Sequence, residues 1–216
     1  MMYKRFIKRF LDIIISFFSI LILIPAFLII SIIILIFMGK PILFFQDRIG
    51  KGEKRFRLYK FRSMTNAKDR NGVLLDEQKR LTKVGIALRS SSLDELPELW
   101  SILKGDMSFV GPRPMPTYYG PYFLPEERKR HSARGGLIPP DSLSGKTYTT
   151  YEEQFQYELY YVDHISFLLD IKVIFATISI IVNRVKTSYG SEMDRPHLNV
   201  YRANLNKCVN KESYDK

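Results

Sequence analysis

The apolar positions of this chain fall into blocks of different period. From Leu11 to Met38 they run almost without interruption, Asp12 being the exception. A helix needs ~20 apolar residues to cross a bilayer. A cleaved leader has a shorter apolar region of ~7–15 residues. The segment is therefore long enough for a membrane and is expected to stay on the chain. Pro25 stands near its middle and is expected to break or bend the helix there.

The period then changes. Ile42 to Phe45 is a short apolar strand, Gly50-Lys51-Gly52 supplies a turn, and Arg55 to Arg62 reads as a second strand, which together make a hairpin. Alternation puts Phe56, Leu58, Lys60 and Arg62 on one face. Lys60 and Arg62 can be read as a solvated basic strand tip or as a pair of cations for a phosphate.

Helical spacing returns at Leu81, Val84 and Leu88, and again at Leu96, Leu99 and Leu103, with Gly105 as a stop. The second stripe follows Ser90-Ser91-Ser92-Leu93-Asp94-Glu95. Asp94 and Glu95 are expected in the first turn of that helix, where Pro97 is tolerated. Ser92-x-x-Glu95 reads as a capping box. The same first turn favours an ionised carboxylate, the form a nucleophile needs. Arg89, just before the serines, can cap the preceding helix or offer a cation beside Asp94. Arg113 stands between Pro112 and Pro114 in a segment with little freedom left, as a structural turn or a phosphate contact.

Further on, Pro125-Glu126-Glu127-Arg128 opens a short helix and Gly135 to Pro140 reads as a loop. Thr150 to Val162 is an amphipathic helix with Thr150-x-x-Glu153 as its capping box. Its tyrosines suit either a core or the lipid headgroup level. Ile165 to Val182 is apolar but carries Asp170 and Lys172, which favours a buried or interfacial helix over a second span. The last two dozen residues read as a partly disordered polar tail.

Charge sharpens the first block. The net charge is +11, and residues 1–62 hold 12 Lys and Arg against 3 Asp and Glu, while the rest is nearly balanced. Basicity brackets the apolar segment instead of lining a groove, which points to anionic membrane lipids and away from nucleic acid. Cations on both flanks put both ends on the same side of the membrane by the positive-inside bias. A re-entrant hairpin bent at Pro25 satisfies this; a plain span satisfies only the length. The single Cys208 excludes an internal disulfide. The sequence has no phosphate-binding glycine loop, no dinucleotide fingerprint, no nucleophile elbow and no zinc-type spacing among His131, His164 and His197.

Several stretches resemble the bacterial sugar transferases, the monotopic phosphoglycosyl transferases. They are Phe45 to Gly50, Tyr59 to Met64, Ser91 to Trp100, Leu103 to Ser108, Val110 to Pro114, Tyr161-Val162 and Phe167 to Lys172, in family order. The resemblance implies a mixed α/β, mostly helical fold. It would have a re-entrant membrane helix-break-helix (residues 1–40), a small β-hairpin, a compact cytoplasmic catalytic domain with interfacial helices (41–186) and a polar tail (187–216). It implies transfer of a sugar-1-phosphate from a UDP-sugar to polyprenol phosphate at the bacterial inner membrane, with release of UMP. Asp94 would be the nucleophile, forming a phosphosugar–aspartyl intermediate. Glu95 would act at an Mg²⁺ site shared with Asp94 or as a base, and Lys60, Arg62, Arg89 and Arg113 would hold phosphates. Downstream glycosyltransferases would be partners. Two departures stand out. Ile24-Pro25 replaces the usual Ser-Pro, with Ser19 as a substitute hydroxyl, and Gly135 to Pro140 replaces the usual Pro-Gly-Ile-Thr-Gly. The competing reading is a non-catalytic scaffold that gathers glycan-assembly enzymes at a membrane.

Overall fold

Helix α1 (Lys8–Met38) follows a π-helical turn at Tyr3–Ile7 and organises the molecule. The structure is a computed structural model that describes residues 2–184 and 196–204. Pro25 does not divide α1 into the two helices expected from the sequence. Proline costs the helix its own N–H bond, and here it sits on the exposed side while Leu23 and Phe27 pack on either side of it. The serine that back-bonds within α1 is Ser16, to the carbonyl of Asp12 at 2.5 Å.

One stripe of α1 is packed against the domain: Asp12, Ser16, Ile20, Leu23, Phe27, Ile30, Ile34 and Met38. Its spacing of three and four residues is that of a single helix face. Phe17, Phe18, Leu21, Ile22, Ile29, Ile32 and Ile36 lie exposed elsewhere on the helix. The stripe runs from Asp12 to Met38, and by length and composition the helix is also long and apolar enough to cross a membrane. Polar contacts fix the N-terminal end. Arg9 donates to the carbonyls of Ile102 and Leu103 at 2.6 and 2.8 Å, and Asp12 accepts from Ser108 and from the Phe109 amide at 3.1 and 3.0 Å.

Strands β1 (Leu43–Ile49) and β2 (Arg55–Phe61) form the expected antiparallel hairpin. Short helices α2 (Glu77–Arg80) and α3 (Lys83–Ser90) follow, then α4 (Glu98–Lys104), which ends at Gly105 with φ 101°. Leu58 from β2, Leu99 and Ile102 from α4, and Met107 make one core cluster under α1, and Phe61 and Leu88 join Ile30 and Ile34 in another.

The stretch Gly135 to Pro140 is not a loop. Strand β4 (Gly135–Ile138) pairs in parallel with β3 (Met107–Val110). The pairing needs two glycines: a Cβ on Gly136 would fall 2.1 Å from the Gly111 nitrogen, and one on Gly111 would fall 2.4 Å from the Arg134 carbonyl. Pro125 to Arg128 leads into a 3-10 turn at Glu127–Ser132, not an α-helix. Helix α5 (Tyr151–Asp163) forms with both halves of its capping box, and Tyr151 and Tyr161 belong to the core while Tyr160 is exposed. Helix α6 (Phe167–Arg184) is joined to the N-terminal segment through buried Asp170, which accepts from Tyr3, Lys8 and Tyr161, each at 2.5 Å. That is why this apolar helix tolerates an acid.

The expected tail also needs correction. Helix α7 (Leu198–Asn204) docks on the cluster of Ile49, Met115, Tyr119, Phe123, Tyr151 and Phe155. Leu198 is fully buried, and Arg202 is buried against Glu127. Composition hid this because the contact rests on a few residues in a polar stretch: Leu198, Tyr201 against the same cluster, and paired Arg202. The remainder of the expected tail, residues 187–195 and 205–216, lies outside the described residues. Leu198→Ala should lower stability by about 2 kcal/mol or more through lost burial and a cavity, measured as a fall in the thermal midpoint of detergent-solubilised protein. An unchanged midpoint would show that α7 does not dock.

Candidate active site

Asp94 and Glu95 occupy a 3-10 turn, Leu93–Glu95, ahead of α4 and not within it. Pro97 sits at the N-cap of α4 and has no N–H for a bond to the Leu93 carbonyl, so the ladder before it tightens to i→i+3 bonds such as Glu95 to Ser92 at 3.2 Å. Ser92 is left-handed (φ 56°) and makes no side-chain cap, so the expected Ser92–Glu95 capping box is absent. Glu98 takes the first-turn position.

The Glu95 carboxylate is turned onto Lys60. The Lys60 Nζ lies 2.5 Å from Glu95 Oε1 and 3.2 Å from Glu98 Oε1, which ties β2 to the turn and to α4. The two acids are unequal: the Glu95 side chain is 31% exposed and that of Glu98 is 5%. Burial pushes Glu98 up to about 7, against the pull of Lys60 and with the added repulsion of Glu95. Burial also opposes ionisation of Glu95, but Lys60 outweighs it, with help from Arg113 and Arg48, and holds this carboxyl below its ordinary value. Lys60 would lose charge through burial, but its two acids raise it. Asp94 is 8% exposed; burial raises it, Lys60 and Arg89 pull it down, and Glu95 pushes it up.

Of the four cations expected from sequence, three bear on the acid cluster. Arg89 is placed by a 3.1 Å bond from Nε to Ser63 and bears on Asp94. Arg113 is exposed and bears on Glu95. Arg62 does not join them. It is buried and donates to the carbonyls of Met38 and Pro41 at 2.5 and 3.2 Å, closing the end of α1. Alternation alone would project it together with Lys60, but β2 ends at Phe61 and the guanidinium closes instead on carbonyls at the end of α1.

Every backbone polar group of Pro112-Arg113-Pro114 is engaged. The Pro112 carbonyl accepts from Gly136 at 2.9 Å, the Arg113 amide donates to Glu158 at 2.8 Å, the Arg113 carbonyl accepts from Arg130 at 2.6 Å, and the Pro114 carbonyl accepts from Arg48 at 2.9 Å. Arg130 and Glu158 are themselves a buried pair at 2.6 Å. Sequence reasoning gave no role to Arg48 or Glu98. The hairpin register could have found Arg48, since it shares the face of Lys60, and the step of four from Asp94 could have flagged Glu98.

The chain matches the family model described as bacterial sugar transferase over residues 3–184. It belongs to that family. It is 33% identical over 194 residues to an Aeromonas hydrophila UDP-N-acetylgalactosamine-undecaprenyl-phosphate N-acetylgalactosaminephosphotransferase, covering 86% of this chain and 45% of the relative. It is 34% identical over 181 residues to a Klebsiella pneumoniae UDP-glucose:undecaprenyl-phosphate glucose-1-phosphate transferase, covering 79% of this chain and 39% of the relative. It is also 34% identical over 186 residues to the exopolysaccharide production protein PSS of Rhizobium leguminosarum bv. phaseoli, covering 80% of this chain and 93% of the relative. The chain thus spans less than half the length of the two named phosphotransferases.

No group of three or more His, Cys, Asp or Glu able to hold a metal occurs among the described residues. Mg²⁺ does not need one, since it is commonly held by one or two carboxylates together with substrate phosphates. The adjacent Asp94 and Glu95 fit that donor set. The raised Glu98 gives a pH signature. Its folded value of about 7 exceeds its ordinary 4.5, so ionising it disfavours the fold, and stability should fall as pH rises from about 4.5 to 7. Glu95, held low, works the other way and loses its contribution as pH falls below the ordinary 4.5. Thermal midpoints from pH 5 to 8 should decline less steeply in Glu98→Gln than in the parent; parallel curves would remove Glu98 as the cause.

Proposed function

We propose that this family member transfers a sugar-1-phosphate from a UDP-sugar to undecaprenyl phosphate and releases UMP. The observation that carries this is Asp94, largely buried where β2, α3 and α4 meet, with Lys60 and Arg89 acting on it, Arg113 acting on the adjacent Glu95, and an apolar helix along the same domain. The relatives' names support the substrate classes.

In the first step a carboxylate oxygen of Asp94 attacks the sugar-linked phosphorus, and the bond to UMP breaks. An oxygen of the lipid phosphate then attacks that phosphorus and frees Asp94. Neither step consumes a proton if both nucleophiles are anionic, so the protein's task is to place charge. Burial, the largest effect, leaves Asp94 raised overall, and Lys60 and Arg89 oppose that rise and so favour its carboxylate form, while Arg113 offers a guanidinium to phosphate oxygens. Asp94 and Glu95 would hold Mg²⁺, which supplies charge neutralisation on the diphosphate. Purified protein should release UMP from at least one of UDP-N-acetylgalactosamine, UDP-galactose and UDP-glucose when undecaprenyl phosphate and Mg²⁺ are present. Asp94→Asn should lower the rate by at least a thousandfold; full activity in that variant would end the mechanism.

We infer further that α1 is monotopic, with the domain on the cytoplasmic face. Contacts along both halves of α1, on one body, support this, as do the cations at both ends. In a Cys208→Ser background, Met2→Cys and Lys51→Cys should both react with an impermeant maleimide only from the cytoplasmic side. Labelling from opposite sides would restore a span.

A further inference from the structure

The hairpin pairs an aromatic residue that the mechanism leaves unused with Lys60, the cation that holds Glu95. Phe44 stands opposite Lys60 in the β1–β2 register, with Gln46 and Arg48 following on the same face. Directly paired residues of an antiparallel ladder have Cβ atoms about 4.5–5.5 Å apart. Phe44 is nonetheless 50% exposed. Two residues earlier, Ile42 packs with Ile30, Ile34 and Met38 at the end of α1. Phe44 therefore lies between the apolar end of α1 and the ammonium that holds Glu95. Phe45 is equally exposed, at 55%, but alternation turns it to the opposite face, where the Arg57 guanidinium sits 4.8 Å from its ring centroid.

The acceptor is an anion on a long apolar chain. Its phosphate must reach Asp94 while the chain stays in apolar surroundings, so the chain has to cross an apolar edge of the site. We propose that Phe44 is this edge, a specificity-determining residue whose ring packs against the prenyl units next to the acceptor phosphate. The assignment rests on the acceptor class given under the proposed function.

The test uses the full chain in mixed micelles. UMP release is followed with whichever of the three UDP-sugars is turned over, and thermal unfolding is followed in parallel as undecaprenyl phosphate is titrated. Phe44→Ala should raise the acceptor KM about tenfold, leave the donor KM unchanged and shrink the stabilisation by undecaprenyl phosphate, a size in keeping with one lost phenyl contact. Phe44→Leu should recover most of the affinity, and Phe45→Ala should match the parent. Equal losses in Phe44→Ala and Phe45→Ala would mean general membrane binding and would overturn the proposal. A rise in donor KM alone would put the uracil or the sugar against the ring and would overturn it too. If no donor is turned over, the proposed reaction fails, while the difference between the two alanine variants in the thermal titration still decides whether Phe44 meets the lipid.

Discussion

Lys60 is shared by Glu95 and Glu98, and this contact sets the geometry of everything around Asp94. A buried lysine loses charge unless acids surround it, and a buried glutamate does the same without a cation. Three such groups together settle the matter by exposure. The more exposed acid keeps its charge on Lys60, while the deeper one is driven toward neutrality at ordinary pH. The cluster draws β2, the 3-10 turn and the start of α4 to one point, with Asp94 next to it. A capping box would have turned Glu95 back onto its own turn and left Lys60 with Glu98 alone.

The second constraint is the apolar helix. The proposed reaction, which would join a water-soluble donor to a lipid, would need its nucleophile at the level where both can reach it. The packed stripe of α1 extends from Asp12 to Met38 on the same body that carries Asp94. The polar anchors at Arg9, Asp12 and Asp170 gather at the N-terminal end, and Arg62 closes the C-terminal end. Arg62 thus belongs to the end of α1 as much as to the strand, which explains why it stands apart from the Lys60–Glu95 cluster.

Periodicity in the sequence makes α1, the hairpin, α5 and α6 legible, because each buries a face with its own repeat. Asp94, Glu95, Lys60, Arg89 and Arg113 are legible as a set only once the family motifs are added, since each has an ordinary structural reading. What escapes is long-range pairing. Nothing local in Gly135-Gly136-Leu137-Ile138 says that it will lie parallel to Met107–Val110. Only the close approach of Gly136 to Gly111 explains why small residues stand there. Helix α7 escapes for a similar reason: its burial depends on aromatic partners dozens of residues away. Ser92 misled because its sequence spacing is right for a cap while its left-handed backbone points the hydroxyl elsewhere.

The buried Arg130–Glu158 pair is best understood through Arg113. A buried ion pair is a poor source of stability, because desolvation offsets most of its attraction. A pair kept only for stability would need no third partner. Here the acid also takes the Arg113 amide and the Gln154 side chain, and the guanidinium also takes the Arg113 carbonyl. The flanking prolines offer no N–H, so the Arg113 amide is the one backbone donor in the triplet, and it is spent inside the protein. The backbone is thereby held on both sides while the guanidinium remains exposed and directed by its charge toward Glu95. Under the proposed function, ordering that side chain's base in advance would lower the entropy lost on closing over a phosphate, which would be a sufficient reason for the fold to carry the pair.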